Sequence, residues 1–137
     1  MIEYSEATVR VRYAETDQMG VVYHGNYFTW FEVGRVELCR ALGFEYKQME
    51  SDDDSFIVVV DAHCRYKSPA RFDDEIAVRL HVAESTVRHL RFRYEMFRVD
   101  GDSERKIARG ETSHLYVSKS EFRPIRLPDR YHAAFGV

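Results

Sequence analysis

Residues 13–27, YAETDQMGVVYHGNY, decide the fold, because two different periodic patterns meet there. On the N-terminal side, residues 7–13 alternate: Val9, Val11 and Tyr13 face one way and polar side chains face the other. That alternation is typical of a half-buried β-strand. On the C-terminal side, apolar residues recur at the period of a helix. Residues 13–27 are therefore predicted to lead from a strand, through a polar loop, into a helix.

The predicted helix is the only long one in the sequence. Its apolar stripe consists of Tyr27, Trp30, Phe31, Gly34, Leu38, Ala41 and Leu42. Asn26 is a typical N-cap residue and Gly43 a typical residue to follow the last turn, so both ends are marked. The opposite face carries Val33 and Val36 beside charged residues. The helix is therefore expected to contact a curved sheet, a second subunit, or both.

Four further segments have the pattern of strands: residues 56–66, 76–82, 90–99 and 107–117. Turn formers separate them, and Asp100-Gly101-Asp102 predicts a tight hairpin turn. Residues 51–55 are expected to form a polar loop, and residues 128–135 a short helical turn. The order of one strand, one helix and four strands predicts a single α+β domain spanning residues 1–137, with the helix wrapped by a five-stranded antiparallel sheet.

Composition narrows the classes of function. The 20 basic residues are outnumbered by 23 acidic ones, with a formal charge of −3, which argues against a nucleic-acid-binding protein. No apolar run approaches the ~18 residues of a membrane span, and the first six residues do not resemble a signal peptide. Cys39 and Cys64 are too far apart in sequence to suggest a disulfide framework. A soluble cytoplasmic protein with reduced cysteines is expected.

The polar loop contains the residues best suited to catalysis. Asp17 supplies a carboxylate and His24 an imidazole, just before a helix N-terminus whose N–H groups can stabilise a developing oxyanion. Tyr23 and Gly25 flank the histidine, and Gly25 allows a ligand to approach the backbone. Such a group could polarise a carbonyl and deliver water to it. Taken singly, Asp17 could instead cap a turn, and Tyr13 and His24 could be structural.

The same run closely resembles the signature of the 4-hydroxybenzoyl-CoA thioesterase-like hotdog family. It is most similar to the bacterial short- and medium-chain acyl-CoA thioesterases associated with the Tol–Pal gene cluster. A second match, CRYKSPAR, covers residues 64–71 and is followed by two aspartates. The resemblance extends over nearly the whole chain.

The resemblance implies specific roles for three residues. Asp17 corresponds to the catalytic aspartate, acting as a nucleophile or a general base. His24 corresponds to the residue at the helix start whose N–H binds the thioester oxygen and whose side chain contributes to activity. Tyr13 corresponds to a tyrosine that orients the aspartate. No cofactor is implied, and a histidine at position 24 favours aliphatic over aromatic acyl groups.

The resemblance also implies an assembly. In the hotdog family two subunits join their sheets edge to edge, dimers often pair into tetramers, and the active sites lie at subunit boundaries. The acyl-CoA substrate carries phosphates, for which we expect a local basic patch made of Arg65, Lys67, Arg71 and Arg88. Each of these cations, taken singly, could be an ordinary solvated residue.

Other classes of function receive less support from the sequence. There is no Gly-x-Ser-x-Gly elbow of a serine hydrolase, and the six histidines lack the spacing of metal ligands, so no metal site is expected. Glu32 and Glu37 on the helix are interpreted as surface or interface charges. Two alternatives stay open: a hotdog enoyl-acyl hydratase or dehydratase, whose usual Asp-x-Asn-Pro-x-His pattern is missing, and a non-catalytic acyl-binding domain.

Overall fold

The computed structural model describes residues 4–137. Of the first six residues, which do not resemble a signal peptide, residues 1–3 therefore lie outside the described part of the chain. One antiparallel sheet with the strand order β1-β3-β4-β5-β2 organises the chain. Its strands are β1 (Ser5–Arg10), β2 (Ser55–Tyr66), β3 (Glu75–Ser85), β4 (His89–Asp100) and β5 (Ser103–Ser118). The predicted α+β class and the five-stranded antiparallel sheet are confirmed. β1 and β2 form the two edges.

The predicted strand boundaries are accurate for some strands and not for others: β3 runs three residues beyond its predicted end, and β5 begins four residues before its predicted start. β2 and β4 match their predicted ranges within one residue, and Gly101, with φ +60°, makes the predicted tight turn. The expected strand at residues 11–13 is wrong, because residues Tyr13–Glu15 form a 3₁₀ turn. The side chain of Glu15 accepts the N–H of Arg12 at 2.8 Å, and this local cap replaces the sheet ladder.

The long helix α1 (Asn26–Ala41) packs across the sheet through the predicted stripe. Phe31 is fully buried and stacks on Tyr94 of β4, with ring centroids 4.0 Å apart. Gly34 lets the helix approach β3 closely, because a Cβ there would lie 3.1 Å from Val78 and 3.2 Å from Leu80. Ala41, expected in the stripe, is exposed. The buried stripe therefore fades at the last turn.

The two ends of α1 differ in how well they were predicted. Gly43, with φ +99°, follows the last turn and donates its N–H to Arg40, as expected. Asn26 is not the N-cap: Gly25 holds that position and Asn26 is the first helical residue. The Asn26 side chain instead donates to the carbonyl of Glu15 at 2.8 Å. It therefore ties the helix to the preceding loop.

Two shorter helices complete the chain. α2 (Tyr46–Asp52) was not predicted, and it includes Ser51 and Asp52 of the expected loop. Met49 is its one buried residue, so no apolar stripe marked it. α3 (His132–Phe135) follows a 3₁₀ turn and confirms the predicted helical turn at residues 128–135. None of the helices in residues 4–137 combines the length and apolar character needed to cross a membrane.

A buried polar chain joins α1 to the sheet. Arg35 donates to the hydroxyl of Tyr94 at 3.1 Å, and that hydroxyl bonds to Thr112 at 2.5 Å. Thr112 in turn bonds to Nε2 of His114 at 2.7 Å. Burial, followed by the charge of Arg35, lowers the pKa of His114 to about 3. The imidazole is therefore neutral at physiological pH.

Candidate active site

Main-chain hydrogen bonds shape the loop that carries Asp17. The N–H of Asp17 bonds to the carbonyl of Val21 at 2.9 Å, and the N–H of Gly20 bonds back to the carbonyl of Asp17 at 3.0 Å. Gly20 has φ +78°, a conformation that glycine adopts without strain. Val22 donates to the carbonyl of Ala70 at 2.8 Å, which fastens the loop to the β2–β3 connection. These bonds place Asp17 directly before the turn at the loop tip.

Glu15 fixes the base of the same loop. Its carboxylate is buried and accepts the indole N–H of Trp30 at 2.9 Å and the N–H of Arg12 at 2.8 Å. Its carbonyl accepts the N–H of Tyr23 at 2.9 Å as well as the side chain of Asn26. Burial alone would raise the pKa of Glu15, but the bonds from Arg12 and Trp30 outweigh it and lower the pKa. An ionised carboxylate therefore holds the loop against α1.

The carboxylate of Asp17 has one engaged and one available oxygen. Oδ1 accepts the N–H of Met19 at 2.9 Å. Asp17 therefore caps a turn, which is the structural role considered for it as an alternative to catalysis. Within the described residues, Oδ2 has no hydrogen-bond partner. The side chain is half-exposed and faces a cleft. The turn bond therefore holds the carboxylate in place without occupying both oxygens.

His24 and Gly25 form the centre of a tight turn that leads into α1. The N–H of Asn26 closes this turn on the carbonyl of Tyr23 at 3.0 Å. In the described part of the chain, the N–H groups of His24 and Gly25 have no hydrogen-bond acceptor. The Tyr23 ring packs over Gly25, where an added Cβ would lie 3.0 Å from it. Two available N–H donors thus stand at the positive end of a sixteen-residue helix.

The Asp17 cleft, as we call it, brings the loop and the turn together. It has a volume of about 320 Å³ and is lined by Asp17, His24, Tyr66 and Lys67, among others. Tyr66 and Lys67 lie at the end of the edge strand β2, so the cleft opens at the edge of the sheet. The hydroxyl of Tyr66 donates to the carbonyl of His24 at 2.7 Å. Tyr66 was missed by sequence reasoning.

Tyr13 does not make the expected contact with Asp17. Its ring stacks on Phe72 with centroids 3.8 Å apart, and 73% of the residue is exposed. Among the described residues no hydrogen bond joins the Tyr13 hydroxyl to Asp17. The cause is the 3₁₀ turn at residues Tyr13–Glu15, which carries the ring away from the strand direction assumed from the sequence.

The four basic residues do not form one patch within the chain. Lys67 lines the Asp17 cleft, and Arg71 lies at the same end of the sheet, next to the Ala70 that anchors the loop. Arg65 points to the opposite face of β2 from Tyr66 and lines an outer groove with charged residues of β4 and β5. Arg88 lies in the β3–β4 turn, at the far end of the sheet. The four residues therefore lie apart within one chain, and the expected basic patch stays a prediction.

The site offers groups for acid–base and nucleophilic chemistry. Across residues 4–137, no three His, Cys, Asp or Glu side chains are gathered as metal ligands would be. The free oxygen of Asp17 can attack an electrophilic carbon or activate water. The N–H donors of the turn can hold the oxygen of a carbonyl whose charge increases during attack. This combination suits hydrolysis of an acyl group.

Comparison with known proteins agrees with this chemistry. The sequence model of the thioesterase-like superfamily matches residues 11–135. YneP of Bacillus subtilis, named for acyl-CoA thioesterase activity, is 36% identical over 135 residues, covering 96% of this chain and 94% of its own. The acyl-CoA thioesterase YbgC of Haemophilus influenzae is 28% identical, covering 93% and 90% respectively.

A solved structure gives the same assignment. A DHNA-CoA thioesterase from Staphylococcus aureus superposes with a TM-score of 0.91 at 34% sequence identity, covering 97% of this chain and 89% of its own. The match therefore spans nearly the whole chain. The chain belongs to the thioesterase-like superfamily and is a thioester hydrolase with the hotdog fold.

Proposed function

We propose that the chain hydrolyses acyl-CoA thioesters to the free acid and CoA, with Asp17 as nucleophile or general base. One observation carries the proposal: the free oxygen of Asp17 and the turn that holds the available N–H groups of His24 and Gly25 border the same cleft. The resemblance to YneP and YbgC, both named for acyl-CoA thioesterase activity, supports CoA as the leaving group. The motif match supports placement in the Tol–Pal-associated branch.

The reaction follows from the positions of these groups. The thioester oxygen accepts the N–H of His24, and the helix N-terminus stabilises the negative charge that develops on it. Asp17 either attacks the carbonyl carbon, forming an anhydride that water then hydrolyses, or removes a proton from an attacking water. In both cases the C–S bond breaks and the CoA sulfur leaves as a thiolate, which takes up a proton. The His24 imidazole, exposed beside the Tyr23 ring, can position the water.

We assign the acyl group to a second cavity, farther along α1 than the Asp17 cleft, whose size suits a short or medium acyl chain or a single aromatic group. It measures about 230 Å³ and lies beside α1, where Val36, Ile57 and Phe92 contribute apolar surface. Drug-sized ligands need roughly 300 Å³ or more, so a long acyl chain does not fit it. The Staphylococcus aureus relative, named for an aromatic acyl-CoA, keeps aromatic groups in the proposal.

The polar end of CoA is proposed to bind near the mouth of the Asp17 cleft. Lys67 lines the cleft and Arg71 lies at the same end of the sheet, so both can approach phosphate groups. Tyr23 is half exposed beside Gly25 and can pack against the pantetheine arm. Arg65 and Arg88 are not assigned to this role within one chain, because neither borders the cleft.

A direct assay tests the function. A panel of acyl-CoAs from acetyl to palmitoyl, together with benzoyl-CoA, is mixed with the protein and a reagent that detects free thiols. We expect kcat/KM to be highest for short, medium or benzoyl groups and lowest for palmitoyl. Absence of thiol release with every substrate would contradict the proposed function, and a preference for palmitoyl would contradict the assignment of the cavity.

We propose that the chain assembles as a dimer or tetramer through β2, with active sites at subunit boundaries. β2 is an edge strand, and Val59 and Val60 are 48% and 54% exposed on it. An unpaired edge with exposed β-branched residues favours pairing with another strand. Because the Asp17 cleft opens at the end of β2, a second copy bound there would close it.

The assembly is tested by placing a charge on each edge strand. Val60→Lys should reduce the molar mass in light scattering to that of one chain at micromolar concentration and lower the activity, because the charge opposes edge pairing. Thr8→Lys, on the exposed side of the other edge strand β1, is the matched control and should change neither. A wild-type monomer that is fully active at nanomolar concentration would exclude the proposed boundary sites.

The backbone and side chain of His24 are expected to contribute separately. His24→Ala keeps the N–H and should retain measurable activity. His24→Pro removes the N–H, and proline suits this first central position of a turn because its φ is near −65°. The proline variant should therefore lose more activity than the alanine variant, both being checked for folding by circular dichroism. Equal losses would assign the whole effect to the imidazole, and full activity of His24→Ala would remove it from the mechanism.

A further inference from the structure

Tyr66 makes the one side-chain hydrogen bond to the backbone of the turn that leads into α1, among the described residues. Its hydroxyl donates to the carbonyl of His24 at 2.7 Å, across 42 residues of sequence. The same carbonyl also accepts the N–H of Tyr27, but at a longer 3.4 Å. The short bond from Tyr66 is therefore the stronger restraint on this carbonyl.

The position of the Tyr66 ring is itself fixed. The ring packs edge-on against the buried Tyr27, with centroids 4.8 Å apart, and its edge faces the His24 ring at 6.2 Å. Burial raises the pKa of Tyr66, and the nearby Cys64 thiol raises it further, so the hydroxyl keeps its proton and remains a donor. β2 thus holds a permanent donor against the helix start.

Fixing the carbonyl of His24 also fixes the N–H of Gly25. The two groups belong to one planar trans peptide, so they point to opposite sides of it. A hydrogen bond to the carbonyl also polarises the peptide and makes its N–H a stronger donor. The N–H of Gly25 has no acceptor in the described part of the chain and is available to a ligand.

We propose that Tyr66 is a positioning residue, whose hydroxyl holds the His24–Gly25 peptide so that the N–H of Gly25 is aimed and strengthened as a second donor to the substrate oxygen, beside the N–H of His24. The proposal rests on the proposed function of the turn. It adds to the site a residue of β2, which affects the reaction through the backbone of the turn and not by touching the substrate.

The test compares two tyrosine-to-phenylalanine variants of the full chain. Tyr66→Phe keeps the ring on Tyr27 and removes only the hydroxyl. We expect kcat for the best acyl-CoA to fall about fivefold, the effect of losing one hydrogen bond, with KM within twofold of wild type. Tyr131→Phe is the control, because its hydroxyl also donates a hydrogen bond, in this case to the carboxylate of Asp53, and neither Tyr131 nor Asp53 borders the Asp17 cleft. Its kcat should stay unchanged.

A second measurement does not depend on activity. In the ligand-free protein, Tyr66→Phe should shift the amide resonances of Gly25 in a ¹H–¹⁵N spectrum, while Tyr131→Phe should not. A kcat within twofold of wild type, a loss confined to KM, or an unshifted Gly25 amide would each overturn the positioning role. Failure of the wild-type protein to hydrolyse any acyl-CoA would instead count against the proposed function, and the Gly25 amide would still report on the Tyr66 bond.

Discussion

Asp17→Asn is expected to lower kcat for acyl-CoA hydrolysis more than tenfold while the fold remains intact. Asparagine keeps the shape of the side chain, and its carbonyl oxygen can still accept the N–H of Met19 at the loop tip. The loop should therefore stay in place. The variant lacks the negative charge that both nucleophilic attack and base catalysis require. The measurement is kcat by thiol release, with the melting temperature recorded in parallel.

Asp102→Asn provides the control for this substitution. Asp102 is exposed in the β4–β5 turn and does not line the Asp17 cleft, so the same change in charge should leave kcat as it is. If Asp17→Asn kept more than about a tenth of the wild-type kcat, the loss of transition-state stabilisation would be below roughly 1.4 kcal/mol. That result would end the assignment of Asp17 as the central catalytic group.

Gly110→Ala is expected to cause a large loss of stability, although it adds only one methyl group. A Cβ at position 110 would lie 2.5 Å from the carbonyl oxygen of His63 and 2.6 Å from the Phe31 ring. The carbonyl belongs to the β2–β5 pair, and the Phe31 ring projects from α1 and is stacked on Tyr94, so neither can move alone. We expect the free energy of unfolding to fall by about 3 kcal/mol or more, as measured by denaturant titration.

Gly34→Ala is the control for Gly110→Ala, because it makes the same change of residue at a site where the added Cβ meets less crowding. A Cβ there would meet only the side-chain ends of Val78 and Leu80, at 3.1 and 3.2 Å. Alanine also favours a helix over glycine by up to about 1 kcal/mol, which offsets part of the crowding. The net change should stay within about 1 kcal/mol of wild type. A larger loss for Gly34→Ala than for Gly110→Ala would contradict the packing described for Phe31.

The strands and α1 could be predicted because their patterns are long and regular. In β4, for example, Leu90, Phe92, Tyr94 and Met96 are all buried, in strict alternation with more exposed residues. α2 could not be predicted, because its single buried residue, Met49, defines no period. The predicted end of β1 was wrong because the buried carboxylate of Glu15 caps a turn. The burial of one acidic residue cannot be inferred from a pattern of apolar and polar residues.

The candidate site was predictable only where it is local. Asp17 and His24 lie seven positions apart in one loop, so the sequence alone places both near the helix start. Tyr66 is 42 residues from His24 and reaches it only because β2 ends beside the turn. In a regular strand, Arg65 and Lys67 would both point to the face opposite Tyr66. Lys67 lines the cleft because the chain leaves β2 after Tyr66.

The construction of the Asp17 loop bears on how enzymes of this kind can change their substrates. Backbone atoms and the buried Glu15 hold the loop, whereas Gln18 and Met19 at its tip are exposed and Met19 contributes only its N–H to the turn. Side chains at positions 18 and 19 can therefore be exchanged without rebuilding the frame. Met19 also lines the cleft, so variation there would alter what the enzyme accepts. Positions 18 and 19 can therefore vary, in natural relatives or in a designed library, while the rest of the loop keeps the carboxylate of Asp17 in the same place.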